Sequence, residues 1–336
     1  MSGKLRLVQL RHPLQGRKVA IVQGERLRLL DGVDSIYRLA LVAIEKAQSL
    51  AEALATKESK DLLDYDPIYG GRSEWVLLPA FDHPDEPARC LVTGTGLTHK
   101  ASAEKRQAMH NDKARPMTDS MRMYQEGLAG GRPAPGQIGV QPEWFYKGNG
   151  AILRAHGEPL EVPCFGMDGG EEAEVAGAYI IGVDGTPRRI GLMLGNEFSD
   201  HKMESRNYLC LAHSKLRTCA LGPELVLGPE FVDVRGQVRL LRGTKIIWSE
   251  SFSTGEQNMS HTLANLEHHH FKYREHRRPG DVHIHFFGAD VFSFGSGVGL
   301  LDGDVMELEL TGFGRALRNP LRADTTAPQR IAVRPL

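Results

Sequence analysis

The chain has 336 residues, 41% of them apolar and 25% charged, with a formal net charge of -1. That length supports one large core or two modest ones, and the composition is that of a globular protein. A near-neutral balance excludes the basic field of a nucleic-acid binder, and no apolar run reaches membrane-spanning length.

The four cysteines, Cys90, Cys164, Cys210 and Cys219, are unclustered, which fits free thiols. The start, Met1 to Arg6, has no secretory apolar region, so the expected location is cytoplasmic.

Leu5 to Leu10, Lys18 to Val22 and Leu27 to Leu30 predict three strands, the first two separated by Pro13 and Gly16. Asp34 is the expected cap of a helix from about Ser35 to Lys57, with Ile36, Leu39, Ala40, Ala43, Ile44 and Ala47 on its apolar stripe. These elements predict a small α/β domain over residues 1–75. The Pro-, Gly- and acid-rich stretch Asp64 to Asp85 reads as the linker, with a short strand at Trp75 to Leu78. Residues 76–336 then form a second, mainly β domain, giving an α+β fold class.

Cys90 to Thr93 is a further expected strand, leading into a Gly-rich turn that ends at His99. Lys105 to Pro135 is polar and fits a lid or a surface loop, with a helix around Asp119 to Gly127. Phe145-Tyr146-Lys147 follows.

Residues 171–228 concentrate the chemistry. Glu172 and Glu174 alternate along an extended segment and so share one face. They lead into Val175 to Gly182, which is almost continuously apolar and reads as a buried strand. One turn later Gly195-Asn196-Glu197-Phe198-Ser199 brings a third carboxylate. Charges entering a core must be paired or bound to metal. Three converging all-oxygen ligands favour a hard divalent ion, Mg²⁺ first, then Mn²⁺ or Ca²⁺. Lys215, partly desolvated near such a cation, is the expected base or enolate partner.

Strands are expected at Phe231 to Val234, Val238 to Leu241 and Lys245 to Trp248, with turns at Gly236 and Gly243. Met259 to Glu275 predicts a helix whose His261, His268, His269 and His270 point to several faces, which fits a solvated or interface role. His283-Ile284-His285 puts two imidazoles on one strand face and is a rival metal pair without a third ligand. Val305 to Leu310 and Ile331 to Leu336 close the chain.

Glu172-Ala173-Glu174-Val175-Ala176, Gly195-Asn196-Glu197-Phe198-Ser199, Lys215, Leu221-Gly222-Pro223 and the late Gly312-Phe313-Gly314 and Asn319-Pro320 resemble, in order and spacing, the fumarylacetoacetate hydrolase superfamily. The detail looks most like its branch acting on 2-keto-3-deoxy sugar acids. The resemblance implies a mixed β-roll catalytic domain behind the small α/β domain, and a homodimer or larger assembly. It implies Glu172, Glu174 and Glu197 as ligands of Mg²⁺, and a 2-keto acid as the small-molecule partner.

The resemblance places His99 in the family's His-x-x-Glu dyad, which activates the hydrolytic water, but the nearest Glu here is Glu104, five residues on, and the role expected of His99 in a dehydration is to protonate the leaving hydroxyl. Glu204 stands where the family has a substrate-contacting Gln, and Lys147 matches its F-x-K segment. Phe294 stands where the family places a carboxylate-binding Thr, so Ser293 or Ser296 is the expected substitute. The activity implied is dehydration of a 2-keto-3-deoxy pentonate to 2-oxoglutarate semialdehyde. Alternatives are an acylpyruvate-type C–C hydrolase on the same site and a sugar-acid-binding protein without activity.

Overall fold

The computed structural model describes residues 4–109 and 117–336. Three antiparallel strands open the chain: β1 (Arg6–His12), β2 (Gly16–Gln23) and β3 (Arg26–Leu30). The expected single helix is two. Ser35, rather than Asp34, accepts the Arg38 N–H and caps α1 (Ile36–Glu45), and Ala47 turns the chain at φ 51°. Ser49 and Glu52 then form a capping box on α2 (Leu50–Ala55). β4 (Glu58–Asp64) pairs with β3, and the expected linker contains α3 (Tyr65–Tyr69) and β5 (Val76–Leu77).

β6 (Cys90–Gly94) precedes α4 (Lys100–Met109) and α5 (Asp119–Gly130). The middle of the expected lid, residues 110–116, lies outside the described residues. β7 (Phe145–Asn149), β8 (Leu153–Arg154) and β9 (Leu160–Val162) lead to the long hairpin of β10 (Ala173–Ile181) and β11 (Pro187–Asn196). Two short helices, α6 (His201–Arg206) and α7 (Leu211–Lys215), precede β12 (Cys219–Val226).

The remaining elements are β13 (Val234–Arg242), β14 (Lys245–Thr254), α8 (Leu263–Phe271), β15 (Val282–Phe286), β16 (Val305–Leu310) and β17 (Leu317–Ala323). Gly236 lies inside β13, not at a turn; a Cβ there would come within 2.4 Å of the Phe252 ring. Residues 324–336, expected to hold a last strand, form none.

Ten strands run in the order β4-β3-β2-β1-β12-β11-β10-β15-β6-β7, with β5 on β1 and β8 on β12 in the same sheet. The N-terminal strands therefore continue the sheet of β10 and β11, with Arg6 facing Val226 across the β1–β12 join. A second sheet has the order β14-β13-β16-β17-β9.

β10 is buried on both faces, which explains its unbroken apolar sequence. Val175, Tyr179 and Ile181 pack toward Val238, Leu240, Met306 and Leu308 of the second sheet. Ala176, Ala178 and Ile180 pack with Ile36, Leu39 and Ala43 of α1 on the other side. The period of two along one strand thus joins two cores, and the strand is a rigid mount for whatever sits at its N-terminal end.

Candidate active site

Glu172 and Glu174 sit at the start of β10, and Glu197 follows the end of β11, which pairs with it: Ala173 faces Asn196 and Glu174 faces Gly195. The Asn196 side chain shapes the turn by accepting from the N–H groups of Glu172 (3.2 Å) and Phe198 (3.3 Å). Glu197 N–H donates to the Glu172 carbonyl at 2.9 Å. Phe198 holds φ 41°, a left-handed conformation that costs an L side chain about 1–3 kcal/mol. The strained backbone therefore lies next to the third carboxylate.

One oxygen from each of Glu172, Glu174 and Glu197 lies within 4.8 Å of the others, and all three side chains are buried. The sequence-based grouping of these carboxylates holds in space. Lys215, at the end of α7, is fully buried and donates to both oxygens of Glu172 at 2.9 Å, to Glu197 Oε2, and to Ser199 Oγ at 2.9 Å. Burial works against its charge, but Glu172 and Glu197 outweigh that and hold the ammonium above the ordinary lysine range. Lys215 thus faces the site held as a cation by these two carboxylates.

Lys147 of β7 is also fully buried. Its Nζ lies 2.6 Å from Glu197 Oε1 and donates to the carbonyls of Phe198 (2.8 Å) and Lys215 (3.0 Å). It was expected to touch substrate; the structure commits it to positioning Glu197 and the neighbouring backbone. His201 of α6 donates from Nε2 to Glu172 Oε1 at 2.9 Å and is stacked between Phe292 and Phe294, with ring centroids 4.9 and 5.4 Å away. Phe294 therefore walls the histidine that orients Glu172.

Glu174 differs from its neighbours. Gly288 N–H donates to its Oε2 at 2.7 Å, and no described cation lies at ion-pair distance. Burial, then the Glu197 and Glu172 charges, push its carboxyl well above the usual range. An uncompensated buried carboxylate beside two others is what a divalent cation would relieve, and the donor set is all oxygen. The residues present fit a hard divalent cation.

Around this trio lies a second ionic layer. Arg106 of α4 is buried with Nε 3.0 Å from Glu204 Oε1, Nη2 3.4 Å from Glu172 Oε1 and Nη1 3.7 Å from Glu143 Oε2. Glu204 lies on the same short helix as His201, three residues on. Glu143, ahead of β7, accepts from the Tyr208 hydroxyl, and burial raises its carboxyl pKa. Gly96 makes room for it, since a Cβ there would meet Glu143 Oε2 at 1.7 Å. Sequence reasoning missed Arg106, Glu143 and His201. Arg106 and His201 lie on different helices and Glu143 on the segment before β7, and none stands in a motif that marks it.

Two expectations are corrected. Thr98 Oγ1 donates to the Phe287 carbonyl, so it accepts from His99 Nδ1 (2.9 Å), leaving Nε2 to accept from Thr254 Oγ1 (3.1 Å). With both ring nitrogens engaged and burial pushing its pKa down to about 3, His99 is not poised as an acid. Glu104 points outward and pairs with Lys100 at 3.7 Å, so no His99–Glu104 dyad forms. Ser293 donates from N and Oγ to Glu171 at 2.7 and 2.9 Å, and Ser296 is exposed. Ser293 is thus committed to Glu171, and Ser296 lies on the surface rather than in the buried site.

The expected solvated histidine helix is also revised. His269 and His270 are buried, and His270 stacks on His285 with centroids 4.4 Å apart. Trp144 Nε1 donates to His270 Nδ1 (3.2 Å), so His270 Nε2 donates to His283 Nδ1 (2.9 Å). Thr93 and Thr95 hydroxyls hold both nitrogens of His285 at 2.8 Å. Among the described residues, only Glu172, Glu174 and Glu197 form a group of three or more potential metal ligands.

No protein-family model matches the sequence, and no curated protein does. Solved structures do. An apo 2-keto-3-deoxy-D-arabinonate dehydratase is 18% identical and matches with a TM-score of 0.69 over 95% of this chain and 99% of its own. The same enzyme complexed with magnesium and 2,5-dioxopentanoate is 17% identical, with a TM-score of 0.70 over 96% and 100%. This chain has the dehydratase fold. A 2-hydroxyhepta-2,4-diene-1,7-dioate isomerase from Mycobacterium marinum shares it more loosely, at 14% identity and a TM-score of 0.58 over 96% and 100%. The resemblance seen in the motifs is thus met at the level of the fold, with α+β architecture and a predominance of sheet. No helix among the described residues is long and apolar enough to cross a membrane.

Proposed function

We propose that this chain is a Mg²⁺-dependent dehydratase of a 2-keto-3-deoxy sugar acid, a pentonate, yielding 2-oxoglutarate semialdehyde. The observation that carries the reading is the buried carboxylate trio with Glu174 left uncompensated. It is supported by the shared fold with a dehydratase whose structure holds magnesium and 2,5-dioxopentanoate, the same compound as the semialdehyde.

Glu172, Glu174 and Glu197 would hold the cation. Bound there, it would supply Lewis acidity that makes the C3 protons of a chelating 2-oxo acid removable. Lys215, kept charged between Glu172 and Glu197, stabilises negative charge that develops on the 2-oxo oxygen. Glu143 takes over the proton transfer first expected of Lys215 and His99. It is a buried carboxyl whose pKa burial raises, able to accept a C3 proton and return one to the departing hydroxyl. Glu204 accepts hydrogen bonds from the hydroxyls of the tail. His201, Lys147 and Arg106 position these carboxylates.

The C–C hydrolase reading needs a base on water. The engaged nitrogens of His99 and the outward Glu104 remove the dyad that would serve, which favours dehydration. Incubation with 2-keto-3-deoxy pentonates and with 2,4-diketo acids, followed by product NMR, separates the two. Mg²⁺-dependent formation of the semialdehyde is expected. Pyruvate released from a diketo acid, with no dehydration of any pentonate, would overturn the proposal.

A further inference from the structure

Resting on that reading, we infer that Glu204, with Arg106 already committed to it, makes the site selective for 2-oxo acids with one carboxylate and rejects those with two. The trio and the cation it would hold account for the first carboxylate and the oxo group. What receives the rest of the substrate is the second ionic layer, where one described cation, Arg106, faces the carboxylates of Glu204 and Glu143.

Arg106 is the cation of that layer, and it is shared among Glu204, Glu172 and Glu143. Lys147 and Lys215 are saturated by Glu197, Glu172 and backbone carbonyls. Lys105 reaches toward Glu250 at 3.4 Å. None of these four described cations is free to receive a second carboxylate. Drawing Arg106 away would strand Glu204, only 1% exposed, without a counter-charge.

Glu204 also asks for a donor. Arg106 Nε lies 3.0 Å away as an ion pair, yet among the described residues no donor hydrogen-bonds to either Glu204 oxygen or to Glu143 Oε2. Buried acceptors in that state are satisfied by hydroxyl donors. A hydroxylated tail supplies them. A terminal carboxylate supplies none and adds a like charge beside Glu204 and Glu143, and such repulsion is a recognised route to specificity.

The test compares two five-carbon acids that differ only in the terminal group, 2-oxopentanoate and 2-oxoglutarate, by isothermal titration of the full chain in Mg²⁺. Binding of 2-oxopentanoate and a dissociation constant for 2-oxoglutarate at least about 30-fold weaker are expected, the order produced by one like charge facing a buried carboxylate. Glu204→Gln should bring the two within about fivefold, mainly by tightening 2-oxoglutarate. Equal or tighter binding of 2-oxoglutarate by the unmodified chain would overturn the inference, whether or not the variant folds. If neither acid binds in Mg²⁺, the reading of the metal site itself fails, and the inference falls with it.

Discussion

Lys147 Nζ and Glu197 Oε1 lie 2.6 Å apart with neither side chain exposed. A lysine so fully buried works against its own desolvation, and burial lowers its pKa. It stays because Glu197, Phe198 and the Lys215 backbone all converge on it. Replacing it by Met leaves Glu197 buried with only Lys215 and Ser199 for support. Lys147→Met should lose about 3–5 kcal/mol of stability, read by chemical denaturation, and about tenfold or more in divalent-cation affinity. Unchanged values in both would show that the pair positions nothing.

The reassignment of proton transfer from His99 to Glu143 separates in kinetics. Glu143→Gln removes a group placed to move protons and should lower kcat by about 10²- to 10⁴-fold. His99→Asn removes a ring held by two threonines and should lower kcat by less than about tenfold, provided the fold is kept. The reverse ranking in steady-state assays would restore His99 as the acid.

The histidine cluster gives a pH term with a definite sign. Burial, then the neighbouring rings, push His283 and His285 down to about 3 and His270 well below its ordinary value. Unfolded histidines take up protons from about pH 6.5 downward and these do not, so their stabilisation is present above pH 6.5 and is lost as pH falls toward 3. Each contributes a slope of roughly 1.4 kcal/mol per pH unit in that window. The raised carboxyls of Glu143 and Glu171 act oppositely, so the slope is read as a difference between the unmodified chain and His283→Gln. Between pH 6 and 4.5 the variant should lose less stability per unit than the parent. Equal slopes would mean His283 titrates normally.

The same imidazoles are not expected to bind the cation. His285 has both nitrogens occupied by threonine hydroxyls, and His283 Nδ1 accepts from His270. The double variant His283→Ala, His285→Ala should keep its divalent metal content by elemental analysis. Loss of one ion per chain would restore the rival site.

What could be read from the sequence is what lies close along it. Glu172 and Glu174 needed only the alternation of a strand, and Glu197 follows on the paired strand. Ser49 and Glu52 form a capping box three residues apart, but the apolar stripe of α1 runs on through it, so the sequence reads as one long helix. Arg106, Glu143 and His201 carry no such pattern. They meet the trio only because α4, the segment before β7, and α6 are folded onto the ends of β10 and β11. His269 and His270 mislead for the opposite reason: a polar run reads as solvated, whereas α8 packs His270 against β15 and Trp144 and turns His269 to the Gly139 carbonyl. Gly236 reads as a turn in the sequence because no sequence rule shows a ring from the next strand lying over it.

The most direct measurement is the stoichiometry of Mn²⁺ bound to the full chain, counted by electron paramagnetic resonance, with and without Glu174→Gln. One tightly held ion per chain is expected for the parent. The variant, its circular dichroism unchanged, should hold none at the same free metal. A variant that still holds one ion, or a parent that holds none, would contradict a cation gathered by Glu172, Glu174 and Glu197.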